Sequence, residues 1–412
     1  MIGEGIPRAD LVRELARALG AEQVVSDPAE LLTYERDGGL DRGMPDLVVL
    51  PRTTAEVQAV VRLACRARLP VVARGAGTGL AGGAVADRGG VVMSLARMDD
   101  VRIDASSRTA ECQPGAVNQG LADRALAAGL YFPPDPSSGR TATIGGNVGT
   151  GAGGPHCFKY GVMTNYVTGL EVVINDGRAV WFGGHAADCP EYDFVAVLTG
   201  SEGTLGVVTT VRARLIRRPP GTRTLMAAFD SVEQAGNAVS AVIAAGLVPS
   251  TLEMMDRRVM RMIEDYVDAG LPVDAEAALI VDVDGHTAGL DAQLDEIRAV
   301  LERHGGRDLR LARSDAERDR IWYGRKSAAG AMTRLAPAYS LVDVTVPRSR
   351  LAEMLAEVNT VCERLALRAS HLFHAGDGNL HPLIPFDPRN PSEVARVHAA
   401  GREIVKAAIA RD

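Results

Sequence analysis

A chain of 412 residues with a formal net charge of −7 has room for two or three domains, each with its own core. The acidic balance, with no Lys/Arg run, argues against nucleic acid as the main partner. Aromatics make up only 4% of residues, so small side chains and backbone would have to hold a flat ligand. The start of the chain, with Glu4, Arg8 and Asp10, lacks the apolar run of a signal peptide. No stretch of 18 apolar residues appears, so no membrane span is expected. Cys65, Cys112, Cys157, Cys189 and Cys362 are scattered without a CxxC pair, which suits free thiols in a reducing cytoplasm.

Leu11, Leu15 and Leu19 recur at helical spacing within residues 8–36, which predicts two short helices. Leu47–Leu50 reads as a strand, Thr53 with Glu56 as a capping box, and Val57, Val60, Val61 and Ala64 as one helical stripe. The strand Pro70–Ala73 leads into Arg74-Gly-Ala-Gly-Thr-Gly79. A Rossmann site would open a helix directly after these glycines, but Gly82, Gly83, Gly89 and Gly90 follow instead. The loop therefore reads as a nest of backbone amides for phosphate. The strand Val91–Leu95 follows it. Residues 101–113 suit a hairpin, and 119–130 a helix.

Residues 131–161 are the densest signal. Pro133, Pro134 and Pro136 bar helix, and six glycines lie between 145 and 154. Ile144, Asn147, Val148 and Phe158 interleave with them, unlike the Ser-rich composition of a flexible linker. The stretch is read as a cofactor cradle in extended loop. Asn175-Asp-Gly177 between two apolar runs marks a hairpin. Residues 194–198 read as one helical turn, and 207–216 as a strand. Pro219 and Pro220 mark a boundary between domains 1–217 and 218–412.

The second half alternates strand (225–229), helix (231–245) and strand (249–254), then strand (278–282), helix (290–304) and strand (307–312), which packs as an α+β layer. Met254, Met255, Met260 and Met262 read as core at helical spacing. In His371–His381, Asp377-Gly378 reads as a two-residue turn that places His374 opposite His381, with Cβ atoms about 5 Å apart. That pair suits either one chelated divalent metal or a structural contact. Asn379 shares its face and His371 takes the other, as a core or supporting histidine. A helix over 394–412 ends the chain.

Four motifs in order, Arg74–Gly79, Pro134–Ser138 with Thr143–Asn147, Gly153–Gly161 and Gly200–Gly206, resemble the FAD-binding domain of the vanillyl-alcohol oxidase/p-cresol methylhydroxylase superfamily. The glycolate oxidase flavin subunit and D-lactate dehydrogenase branch is the most similar. The resemblance spans the chain and implies a two-subdomain FAD-binding domain followed by an α+β, ferredoxin-like cap domain. It implies that Gly75, Ala76, Gly77, Thr78 and Gly79, with Thr143, Ile144, Gly145 and Gly146, cup the pyrophosphate, Arg74 and Asn147 belonging to the same cofactor set. The stretch Pro134–Ser138, foremost Pro134, Asp135, Ser137 and Ser138, would line the flavin, and Gly200–Val207, foremost Glu202, Gly203, Gly206 and Val207, the adenosine side. Gly153, Gly154, Lys159, Tyr160 and Gly161 complete the cofactor set. Members with covalent FAD carry a histidine where this chain has Thr78, so FAD is expected to be non-covalent.

The resemblance further implies a divalent metal, zinc first, on His374 and His381, with Asn379 beside it and Arg325 clamping a substrate carboxylate. D-2-hydroxyglutarate dehydrogenases have a lysine near Leu341, and its absence favours a small monocarboxylic D-2-hydroxy acid such as glycolate or D-lactate. The electron acceptor would be a partner protein, a quinone or a dye. Assembly is open between a homodimer and a complex with an iron–sulfur subunit, the site being cytoplasmic or peripheral to a membrane. A Glu-His-Gly segment that supplies the family's third metal ligand and base is absent by Asp412, so this form is expected to be truncated and to bind FAD without full turnover. The competing readings are a non-catalytic flavin subunit of an electron-transfer complex and an ether-lipid synthase-like flavoenzyme.

Overall fold

The computed structural model describes residues 7–186, 192–332 and 334–411, and Cys189 lies outside them. The chain divides into two compact units. One comprises residues up to 154 together with 161–218, the other 155–160 together with 219 onward.

The first unit opens with α1 (Arg8–Leu19), whose Leu11, Leu15 and Leu19 are buried. The strand β1 (Leu47–Val49) leads to α2 (Thr54–Ala67). Thr53 Oγ1 accepts from Glu56 N at 3.2 Å, as a capping residue should. The Glu56 carboxylate reaches back to Arg52 N at 2.7 Å, one residue before the partner a capping box would use. Strands β2 (Val71–Arg74) and β3 (Val91–Ser94) complete a small sheet in which β3 runs parallel to both β1 and β2. No helix follows β2, in line with the amide-nest expectation.

The second layer begins with the hairpin β4 (Val101–Asp104) and β5 (Thr109–Cys112), followed by α3 (Asn118–Ala127). Residues Ile144–Thr150 form a helix, α4, where extended loop was expected. Thr143 caps it by accepting from Gly146 N at 3.3 Å. Three of its seven residues are glycine, and packing explains the choice: a Cβ on Gly145 would lie 2.4 Å from Pro114 Cβ. Close approach thus offsets the usual helical cost of glycine. Strands β6 (Val167–Val173) and β7 (Ala179–Gly183), the short α5 (Phe194–Leu198) and β8 (Val207–Arg214) follow. The antiparallel order is β4-β5-β8-β6-β7.

The second unit is built on β9 (Gly221–Phe229), α6 (Val232–Ala244), β10 (Thr251–Asp256), α7 (Arg257–Glu264), β11 (Ala277–Gly285), α8 (Thr287–Arg303) and β12 (Arg307–Leu311). The order β12-β9-β11-β10, all antiparallel, is that of a ferredoxin-like split βαβ pair. Met226, Ala228, Met255, Ala278 and Ile280 line one sheet face and pack against α7 and α9 (Asp315–Met332). All four methionines of the 254–262 cluster are buried, although Met254 and Met255 stand on a strand and not at helical spacing.

Strands β13 (Ala338–Leu341) and β14 (Val344–Thr345), helix α10 (Leu351–Arg364) and strands β15 (Ser370–His374), β16 (Asn379–Leu380) and β17 (Pro382–Phe386) extend the sheet. β15 joins it by pairing with β10. The last helix, α11, runs Pro391–Ile409, three residues earlier at its start than expected, because Asn390 caps it and Pro391 occupies its first turn. Residues 155–160 belong to this unit: Lys159 Nζ reaches the Asp284 carboxylate, and Tyr160 OH donates to Asp284 Oδ2 at 2.7 Å.

Candidate cofactor cleft and active-site cluster

A cleft in the first unit gathers the glycine loops. Its walls include Arg74, Gly75, Ala76, Gly77, Thr78 and Gly79 after β2, Ser138, and Thr143, Gly145, Gly146 and Asn147 at the start of α4. Glu202, Gly203 and Gly206 close it. Two positions show why glycine is needed. A Cβ on Gly75 would lie 2.4 Å from Thr143 Oγ1, and Gly77 holds a φ of +69°. The Arg74 guanidinium is occupied with scaffolding, donating to Ala84 O at 3.0 Å and Arg36 O at 2.7 Å, and burial lowers its pKa. Pro136 and Ser201, both inside the expected motifs, also line the cleft, and so does Asp37, which escaped the sequence reading. Asp37 braces the loop by accepting from Gly39 N at 2.7 Å and Gly82 N at 2.9 Å, a role that no local motif announces.

The other expected cofactor residues lie elsewhere. Ile144 and Val207 are buried in the core. Pro134 O accepts from Asn118 Nδ2 at 3.0 Å, and Gly154 packs so closely on Asp135 that a Cβ would fall 2.1 Å from its carbonyl oxygen. Ser137, Gly153 and Gly161 are also off the cleft wall, the last turning at a φ of +78° beside Asn165. Lys159 and Tyr160 are committed to Asp284 in the second unit.

In the second unit, β10 carries Glu253 between two expected site residues. Arg325 on α9 donates to Glu253 Oε2 through Nε at 2.8 Å and pairs with it through Nη2 at 2.6 Å. His374 Nδ1 meets Glu253 Oε1. Burial pushes the Glu253 carboxyl up, but His374 and Arg325 outweigh it and hold the carboxyl near 2. The His381 ring stands perpendicular to that of His374 with centroids 4.8 Å apart. Burial, and then His374, lower His381 to about 3 and keep it neutral. Asp343 and Asp377 lie beside the pair and are raised by burial.

The hairpin register differs from the reading. Ala375–Gly378 forms a four-residue turn with Gly378 at a φ of +79°, and His374 pairs with Asn379, not His381. The displacement is two residues, one full side-chain period, so the imidazoles stay on one face and still touch. His371 takes the opposite face. It is buried, with Nε2 2.9 Å from Asn359 Oδ1, and burial lowers it to about 4.

Farther along the sheet face that carries Glu253 lies a row formed by Thr224, Asp282 and Thr251 on neighbouring strands. Asp282 Oδ2 accepts from Trp322 Nε1 at 3.0 Å, whereas its Oδ1 and both threonine hydroxyls have no hydrogen-bond partner among the described residues. Burial raises the Asp282 carboxyl to about 6, and the Thr224 hydroxyl eases that rise without reaching hydrogen-bond geometry.

An FAD-binding domain model matches residues 45–183, and one for the C-terminal domain of FAD-linked oxidases matches 218–412. The chain is 41% identical over 403 residues to the glycolate oxidase subunit GlcD of Escherichia coli K12, covering 97% of this chain and 81% of that protein. This chain belongs to the FAD-linked oxidase family. It is also 34% identical to a D-lactate dehydrogenase of Archaeoglobus fulgidus, over 82% of this chain and 75% of that one. As an FAD-linked oxidase it takes FAD as cofactor, and the Cβ-excluding glycines of the cleft fit close backbone approach to such a ligand. Solved p-cresol methylhydroxylase matches with TM-score 0.79 at 16% identity, covering 97% of this chain and 86% of that one. An alkyldihydroxyacetonephosphate synthase gives 0.80 at 17%, covering 99% and 82%. At such identities these two establish the shared fold.

The metal expectation finds less support. Among the described residues no group of three or more His, Cys, Asp or Glu is arranged to hold a metal ion. Asn379 Oδ1 is, among the described residues, a buried orphan beside the imidazoles, and Asp343 Oδ2 lies 3.8 Å from His381 Nε2, so the groups nearest the pair are an amide oxygen and one carboxylate. Cys65, Cys112 and Cys362 are in no disulfide among the described residues. No helix among the described residues is long and apolar enough to cross a membrane.

Proposed function

We propose that this FAD-linked oxidase oxidises a small D-2-hydroxy acid, of the glycolate or D-lactate type, to the 2-oxo acid. The observation that carries the reading is Arg325: the guanidinium is buried, its Nε and Nη2 are taken by Glu253, and Nη1 makes no hydrogen bond among the described residues. A guanidinium so held is a fixed receptor for a carboxylate. Leu341, packed against the apolar core, offers no second cation for a dicarboxylic substrate, which supports a monocarboxylic one.

Oxidation removes a hydride from the substrate α-carbon and a proton from its hydroxyl. FAD, when bound, supplies the hydride acceptor. Arg325 binds and orients the carboxylate, and the neutral His381 with His374 offers imidazole nitrogens toward the hydroxyl side. A divalent cation would rest on His374 and His381 with Asn379 Oδ1, and there it would favour the alkoxide form of the substrate. FAD retention is non-covalent, since Thr78 replaces the attachment histidine. Acid precipitation should leave the flavin in the supernatant, and colour retained in the pellet would refute that.

Anaerobic addition of glycolate or D-lactate to the FAD-loaded protein is expected to bleach the flavin. Arg325→Ala should raise KM and lower kcat in a dye-coupled assay, and unchanged kinetics would remove Arg325 from the site. Absence of bleaching by any hydroxy acid would favour a flavin subunit without its own dehydrogenase activity. The electron acceptor and the assembly, homodimer or complex with an iron–sulfur subunit, belong to the same proposal and would be read from pull-down of native partners.

A further inference from the structure

Glu253 is completely buried, and its two oxygens serve separate partners: Oε2 accepts from Arg325 Nε and pairs with its Nη2, and Oε1 faces His374 Nδ1. A carboxylate held by Arg325 only accepts, so the shared proton sits on Nδ1 of His374 and Nε2 is the ring nitrogen left outside the pair. The Nε hydrogen bond and the Nη2 ion-pair contact orient the guanidinium and leave Nη1 outside the pair. Stability alone is a weak reason for this arrangement. Buried ion pairs rarely outperform packed apolar residues, and Met226, Met255 and Ile280 beside it already form such a core.

We propose that Glu253 is the positioning residue of the site: a single carboxylate sets both the plane of the Arg325 clamp and the tautomer of His374. What the clamp holds rests on the hydroxy-acid reading above, whereas the tautomer does not. The arrangement ties substrate orientation to imidazole orientation through β10, so neither can shift without the other.

The test is Glu253→Gln in the full FAD-loaded chain. Glutamine keeps an oxygen for Arg325 but turns an N–H toward His374 Nδ1, which must then accept, and the ring proton moves to Nε2. Nitrogen NMR of the histidine side chains, with His374→Asn for assignment, is expected to show the Nδ1–H form in the parent and the Nε2–H form in Glu253→Gln. Flavin loading should be unchanged, and kcat should fall about 10–100-fold, as for lost outer-shell partners of reactive imidazoles. Glu253→Asp, which keeps a carboxylate, should retain the Nδ1–H form and affect KM more than kcat. The Nε2–H form in the parent, or an unchanged tautomer in Glu253→Gln, would overturn the proposal. A misfolded Glu253→Gln leaves Glu253→Asp to decide, through loss or retention of the Nδ1–H signal. Failure of the parent to oxidise any hydroxy acid would sink the functional reading alone.

Discussion

Asp282 is a carboxyl whose burial raises it to about 6, from an ordinary value near 3.8. Arg318, Trp322 and Asp284 are the charged and polar groups that face it besides Thr224 and Thr251. As pH rises from about 4 to about 6, the unfolded chain has already released this proton while the folded chain still holds it. The folded state binds more protons, so stability falls across that window and levels off above it. Asp282→Asn cannot titrate and still accepts from Trp322. Its stability relative to the parent should therefore climb by an amount on the order of 3 kcal/mol between pH 4 and 7. Parallel unfolding curves for the two proteins across those pH values would exclude the effect. Glu253 makes the complementary point about legibility at this scale. It stands in the run Leu252-Glu-Met-Met255, and the available signal was one acid set between apolar neighbours within a strand. Its partners lie 72 and 121 residues away, separations that no local pattern reports.

The cleft depends on two elements meeting at one glycine: the loop after β2 and the capped start of α4. Gly75→Ala places a methyl against Thr143 Oγ1, and FAD affinity is expected to drop at least tenfold while the fold persists. Thr143→Ala alone should cost about 1 kcal/mol through the lost cap. Combined with Gly75→Ala it should recover part of the affinity, because the obstructing oxygen is gone. Fluorescence titration with FAD reads all three variants, and parent-like binding by Gly75→Ala would show that the contact is unimportant. The elements themselves were largely visible beforehand: α1, α2, the hairpins at 101–112 and 167–183 and the alternation of strand and helix in the second half follow from apolar spacing and turn residues, whereas the ferredoxin-like form came from the family resemblance. The helix α4 was not, because its glycines argue locally for loop and its justification is Pro114, thirty residues earlier. The His374 hairpin was half visible. Asp377-Gly378 suggested the tightest turn, whereas the chain uses all of Ala375–Gly378, and only the two-residue period kept the facing histidines together.

For the molecule as a whole, the division at Arg218 and Pro219 is marked by a proline pair, but the chain passes between its two units more than once. Six residues, Pro155–Tyr160, leave the first unit's sequence to sit in the second. There Lys159 and Tyr160 satisfy Asp284, and Phe158 lies so near Gly376 that a Cβ on that glycine would come within 3.0 Å of its ring. A gene fragment starting at Pro219 would therefore encode a half whose Asp284 is buried and unpaired, a defect on the order of 3–5 kcal/mol. Dissecting, permuting or fusing this protein at its apparent midpoint would separate a hexapeptide from the body that depends on it. The two halves are contiguous as families but interleaved as folding units.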